Sequence, residues 1–228
     1  MLVRHRWYRI GLPPNQDLAQ TLSKRPLIEA ARYGFYYTGD TDSEIAFRFV
    51  WRTTIVATRY NVAGEPEYEE LQSVNALKFS ILNVGKTIFM RIENPTRSVR
   101  DLMNALESVS GFGFTCVPVT FDRVWPTLFL GKVDESKLLS LRVVAAIAGE
   151  DLVSRMEFAS RDGISLDRIR PLTGLRYRIE SSVYQCLFRG VRGQIGIAAN
   201  GTVRLTGPLT PRLLYLIQKE LPQLSRGC

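Results

Sequence analysis

The sequence predicts an α+β fold: an antiparallel sheet with helices packed on one face, built as two pseudo-repeated halves. Three observations carry this expectation. Several segments alternate apolar and polar residues with period two, the signature of half-buried strands. Two amphipathic stretches follow prolines and carry helical spacing. A phrase also recurs: "GKTIFMRIENPTRSVRDLM" from Gly85 to Met103 and "GTVRLTGPLTPRLL" from Gly201 to Leu214 each read as glycine turn, strand, proline break, helix.

The elements follow in order. "MLVRHRWYRI" is an N-terminal strand, and "PPNQDLAQTLSKRPLIEAAR" holds one or two short helices, which sets a first region at 1–32. Ile45, Phe47, Phe49, Trp51 and Ile55 share one parity, against Arg48, Arg52, Thr54 and Thr58 on the other. "NVAGEPEYEE" is expected to form an acidic loop. Strands follow through Leu77, Phe79 and Ile81 and through Ile88, Met90 and Ile92, turned at "NVGK". Val99, Leu102, Met103, Leu106 and Val109 then give a helix face ending at Gly111, so the first sheet–helix half spans 33–111. The region 112–150 supplies a connecting strand, "FGFTCVPVTF". It also supplies "DESKLLSLRVVAAIAG", read as a buried helix with Asp134 as N-cap and Gly149 past its end. The second half, 151–228, offers "LVSRMEFAS", "LRYRIES", "YQCLFRG", "GQIGIAA" and "TVRLT" as strands. Its closing helix has Thr210 as N-cap, Pro211 at the first helical position, and a stripe of Leu213, Leu216, Ile217 and Leu221.

The two recurring segments, "FSILNVGKTIFMRIENPTRSVRDLMNALESV" and "GQIGIAANGTVRLTGPLTPRLLYLIQKEL", resemble the closing strand–turn–strand–helix of a repeat in TATA-binding-protein-like folds. Gly85 matches Gly201, Thr87 matches Thr202, Ile88 matches Val203, Met90 matches Leu205, and Pro95 matches Pro208. The resemblance covers about 30 residues per half and implies an internally duplicated sheet–helix fold. The family's DNA-wedging phenylalanine pairs have no counterpart here, so the resemblance implies no kinking of DNA.

Bulk composition bounds the function. The 228 residues carry a net charge of +8, from 24 arginines and 6 lysines against 22 acids. Arginine suits planar, bidentate contacts to phosphate or carboxylate. Cys116, Cys186 and Cys228 lie far apart without a disulfide or zinc spacing, which points to a reducing cytoplasm. The ending "SRGC" is not a prenylation box. The apolar run Leu138–Gly149 is shorter than the roughly 20 residues a span requires and contains Arg142, so no membrane is expected.

Local motifs do not assemble a catalytic centre. "NVGKT" lacks the first glycine of a phosphate loop, having Ser80 there, and Thr87 leads into a strand rather than a helix. "LIEAARYGFYYTGDTDSEIAFRF" echoes inhibitor-of-apoptosis zinc repeats, but the three cysteines and histidine that hold the zinc do not follow. Asp40, Asp42 and Glu44 alternate, yet the glycine and later glutamate of a calcium loop are out of register, so they form a solvated turn. "EPEYEE" is solvated too, or meets a basic partner. His5, the only histidine, stands among Arg4, Arg6 and Arg9; with Tyr8 it is the one candidate for a metal-independent nuclease. No cofactor and no metal are expected.

The most extended pattern is distributed. The polar parity of the strands carries Arg48, Arg52, Lys78, Arg91, Arg176, Arg178, Arg189 and Arg204, with Thr54, Ser80, Thr202 and Thr206 and few acids beyond Glu93 and Glu180. Phe89 and Leu187 interrupt it. These strands would present a basic face to a DNA or RNA phosphate backbone. The expectation is therefore a non-catalytic nucleic-acid-binding or assembly subunit, with protein partners in a larger cytoplasmic complex. The alternatives are a protein–protein scaffold subunit and a nuclease using His5.

Overall fold

The computed structural model of the chain describes residues 2–41, 43–96, 98–121, 125–146, 153–166, 169, 172 and 176–224. Among them the fold is α+β. The strands are β1 (Leu2–Gly11), β2 (Tyr33–Thr41), β3 (Glu44–Tyr60), β4 (Pro66–Val84), β5 (Thr87–Glu93), β6 (Thr115–Pro118), β7 (Glu135–Ala146), β8 (Val153–Ala159), β9 (Tyr177–Phe188), β10 (Val191–Ala198) and β11 (Thr202–Thr206). The helices are α1 (Leu18–Ser23), α2 (Arg100–Ser110), α3 (Trp125–Leu130) and α4 (Thr210–Leu224). No helix among the described residues is long and apolar enough to cross a membrane.

The chain forms two compact units. One comprises Ile10–Asn83 and Ile88–Cys116; the other comprises Met1–Arg9, Val84–Thr87 and Val117–Cys228. In the first, β2, β3 and β4 are antiparallel neighbours. Phe35, Phe49 and Leu77 lie in one cross-strand row, and Phe47 stands opposite Phe79. Directly opposed side chains share a face. The Phe47 and Phe79 rings accordingly stack at 5.6 Å, and Phe35 meets Phe49 at 5.2 Å. α1 begins at Asp17, whose side chain accepts a hydrogen bond from Gln20 N–H, and it buries Leu18 and Leu22. α2 buries Leu102, Ala105, Leu106 and Val109, the i, i+3, i+4, i+7 face, and ends at Gly111.

The second unit orders its strands β1, β11, β10, β9, β7, β8, each antiparallel to its neighbour. Val203, Leu205, Ile195, Ile197, Leu141 and Val143 fill its core, and Leu213, Ile217 and Leu221 of α4 are fully buried. Phe121, Trp125 and Phe129, four residues apart, stack at 4.1 and 5.1 Å through α3, an element the sequence does not announce.

Three expectations need correction. The segment from Asp134 is not a buried helix but strand β7, with Leu141, Val143 and Ala145 buried and Arg142 exposed between them. Its apolar density hides a period-two alternation, and β-branched Val143 and Val144 favour the pleated state. Gly149 lies outside the described residues. The acidic "loop" is mostly strand: only Asn61–Glu65 turns, and Pro66–Glu70 already belong to β4. Thr58, Tyr60 and their neighbours pair with it residue by residue, which supplies the backbone hydrogen bonds that a solvated loop would leave to water. The segments "LRYRIES" and "YQCLFRG" are one continuous strand, β9, rather than two.

Candidate nucleic-acid interface

Strand register decides which arginines meet. In β1, β11, β10, β9 and β7, residues paired across the sheet project to the same side. Arg4 stands directly opposite Arg204, and Arg204 opposite Gly196. Both arginines are exposed. Gly196 has a reason to be glycine. A Cβ there would come within 3.3 Å of Arg204 Cβ, so its absence lets the Arg204 side chain lie across β10.

One row further, Ser181 of β9 stands opposite Arg142 of β7, and Arg178 stands opposite Val144. Arg142, Arg178 and Arg204 line a single open cleft of about 460 Å³ with Glu180, Ser181, Ala198, Ala199 and Asn200. Arg142 holds Glu157 at 2.8 Å, with both groups about half exposed. That hydrogen bond and its attendant charge raise the Arg142 pKa further, so the guanidinium is permanently cationic. Arg155 lies 3.8 Å from Glu180. Exposed pairs of this kind contribute little to stability. A phosphate can displace such a carboxylate at little cost. Arg176 is exposed just before β9, and Arg192 is exposed on the same side of β10 as Gln194.

Arg189 departs from the row. It occupies the β9–β10 turn with φ of 50°, and its backbone N–H donates to Asp134 Oδ2 at 2.5 Å. Its guanidinium lies 5.3 Å above the Phe188 ring. With Phe188, Pro211, Arg212, Tyr215 and Leu216 it borders a separate cavity of about 310 Å³.

In the other unit, Tyr36, Arg48 and Lys78 form one cross-strand row, all three exposed. Arg48 and Lys78 are directly opposed like charges. Arg52 is half-buried, and its Nη1 donates to Glu29 O at 2.5 Å. Arg91 is not on an open face. It is 8% exposed, its Nη1 donates to Glu44 Oε2 at 2.9 Å, its Nη2 bonds Glu44 Oε1, and Ser80 Oγ lies 3.3 Å from Nη2. The parity rule fails at β5 because both of its faces are buried: Phe89, Met90, Arg91 and Ile92 are all enclosed. An enclosed cation needs a carboxylate, which Glu44 provides.

His5 is also enclosed, 3% exposed in the β1–β11 pair opposite Val203, with its ring 5.9 Å from that of Trp7. Asp42 lies outside the described residues. Among the described residues, no three His, Cys, Asp or Glu side chains converge as a metal-ligand set.

The sequence reading misses Arg4 and Arg142 as members of this surface. In sequence Arg4 stands out only as a neighbour of His5, and Arg142 falls in the segment expected to be helical. The signal for Arg142 is its own alternation, polar between buried Leu141 and Val143.

Searches against protein-family models and against curated proteins find no match to this chain.

Proposed function

We propose that this protein is a non-catalytic nucleic-acid-binding or assembly subunit whose arginine-rich strand surfaces contact phosphate backbones. The observation that carries the reading is the gathering of Arg142, Arg178 and Arg204 in one open cleft, seconded by the direct cross-strand opposition of Arg48 and Lys78. Opposed like charges are destabilising for the free protein. An anion seated between the two cations turns the cost into affinity. The cleft that joins Arg204 to Arg142 and Arg178, with Ser181 and Asn200 as neutral hydrogen-bonding groups, fits a phosphodiester better than an apolar ligand.

We also read the recurring phrase as an internal duplication, with the helix of each half lying on one face of its strands in the manner of TATA-binding-protein-like folds. The support is the shared order of strand, glycine turn, strand and helix in β4–β5–α2 and β10–β11–α4. A cytoplasmic setting agrees with free Cys116 and Cys186.

Fluorescence anisotropy with short duplex DNA, single-stranded DNA and RNA, each at two salt concentrations, tests the proposal. Binding should weaken steeply with salt. Replacing Arg178 and Arg204 together by alanine should lower the magnitude of the log–log salt slope by about 1.8 for duplex DNA, or about 1.4 for a single strand. Absence of binding to all three at low salt would reject the reading, and an unchanged slope would move the contact away from this cleft.

A further inference from the structure

Strands β3 and β4 are much longer than their neighbours. The β2 register stops at Tyr33 opposite Trp51, with Arg52 N–H donating to Arg32 O just beyond. From Thr53 to Tyr60, β3 has only β4 as a strand partner among the described residues, through pairs Thr53–Ser73 to Tyr60–Pro66. The ends of β3 and β4 therefore form a two-stranded ribbon. A lone hairpin is marginally stable in water. This one also exposes apolar side chains on both faces: Ile55 (51%) and Leu71 on one, Val56 (57%), Tyr60 (73%) and Tyr68 (72%) on the other.

The free edge of β3 reads Thr54-Ile-Val-Ala-Thr-Arg-Tyr60. It is rich in β-branched residues, has no proline or glycine, and carries a single charge. Natural proteins guard exposed edges with lysine, proline or bulges, because an open row of backbone N–H and C=O groups pairs with another strand. None of these guards interrupts Thr54–Tyr60. The acids of the ribbon, Glu67, Glu69 and Glu70, lie on β4, one strand away from the edge, and Arg59 of β3 is matched by Glu69 at 2.9 Å.

We propose that the Thr54–Tyr60 edge pairs with the same edge of a second copy of this chain, joining two ribbons into a four-stranded antiparallel sheet about a two-fold axis. A two-fold centred on Ala57 sets Val56 opposite Thr58, Ile55 opposite Arg59, and Thr54 opposite Tyr60. No like charges meet, and β-branched and aromatic residues fill the cross-strand positions. An isologous contact closes on itself as a dimer rather than growing into a fibre. A nucleic acid does not suit this seam, because four glutamates, Glu65, Glu67, Glu69 and Glu70, stand at the ribbon's end against one arginine.

Sedimentation velocity on the full chain, from about 1 to about 100 µM, provides the test. The wild type should dimerise with rising concentration. The dimer should persist or tighten at high salt, because net charge of +8 repels the two copies and salt screens that repulsion. Val56→Lys should raise the dimer dissociation constant at least about tenfold, while Val56→Thr, which keeps β-branching, should leave it near the wild-type value. In wild-type protein, amide exchange at Thr54–Tyr60 should slow as concentration rises, a readout that holds even if the lysine variant folds poorly. A monomer at every concentration, a dimer dispersed by salt, a dimer indifferent to Val56→Lys, or exchange at the edge that does not respond to concentration would each overturn the proposal.

Discussion

Arg91 and Arg204 are the same residue type in opposite environments, one buried and one exposed. Arg91 is enclosed with Glu44 and Ser80, so its removal strands a carboxylate in a partly desolvated site. Arg91→Ala should cost about 3–5 kcal/mol in urea unfolding. Arg204→Ala should stay within about 0.5 kcal/mol and register in binding instead. The cysteines behave in the same environmental way. Burial pushes the Cys116 thiol up to about 12 and Cys186 up to about 11, from an ordinary 9.0. The folded state therefore keeps its protons where the unfolded chain would release them. Their stabilising contribution is complete below pH 9 and is lost as pH rises through 11 and 12. Alkylation of both thiols at pH 8 should be slow in native protein and fast in denaturant, as followed by mass spectrometry. Fast native labelling would contradict the burial.

At the scale of elements, the turn before β11 is tightly constrained. Gly201 has φ of 83°, and a Cβ there would sit 1.8 Å from Val119 O. Both the left-handed backbone and the missing side chain are required. Gly201→Ala should cost roughly 2–4 kcal/mol by thermal or urea unfolding. The same substitution at the corresponding turn glycine, Gly85, meets open space and pays only for its φ of 62°, so it should cost about 1–2 kcal/mol. The recurring phrase thus has different packing at its two occurrences. Strand β7 carries a related lesson. Its apolar density reads as a helix, while the alternation of buried Leu141, Val143 and Ala145 with exposed Arg142 fits the strand that pairs with β8 and β9.

For the whole molecule, charge acts through arrangement. A surplus of basic residues follows from the composition, but its use depends on register. Across β1, β11, β10, β9 and β7, pairing gathers arginines from residue 4 to residue 204, positions no local motif connects. The salt slope expected of nucleic-acid binding belongs to this scale, since it counts phosphates neutralised by the assembled surface rather than by any one side chain. Met1–Arg9 also join the unit that holds Val84–Thr87 and Val117–Cys228. Long-range pairing of this kind is invisible to a linear reading that sets β1 in an N-terminal region of its own, 1–32.

Local patterns alone determined a good deal about this protein. Alternation placed β3, β5, β8, β10 and β11; helical spacing placed α2 and α4; glycine positions placed the turns at Gly85 and Gly201. These signals are legible because they express contacts between near neighbours in the chain. Tertiary structure alone decided that Arg91 is an internal ion pair, that His5 is enclosed, and that Arg142 and Arg178 share a cleft with Arg204. Each of those depends on which strand lies alongside, and the free energy that selects the neighbour comes from residues far away in sequence.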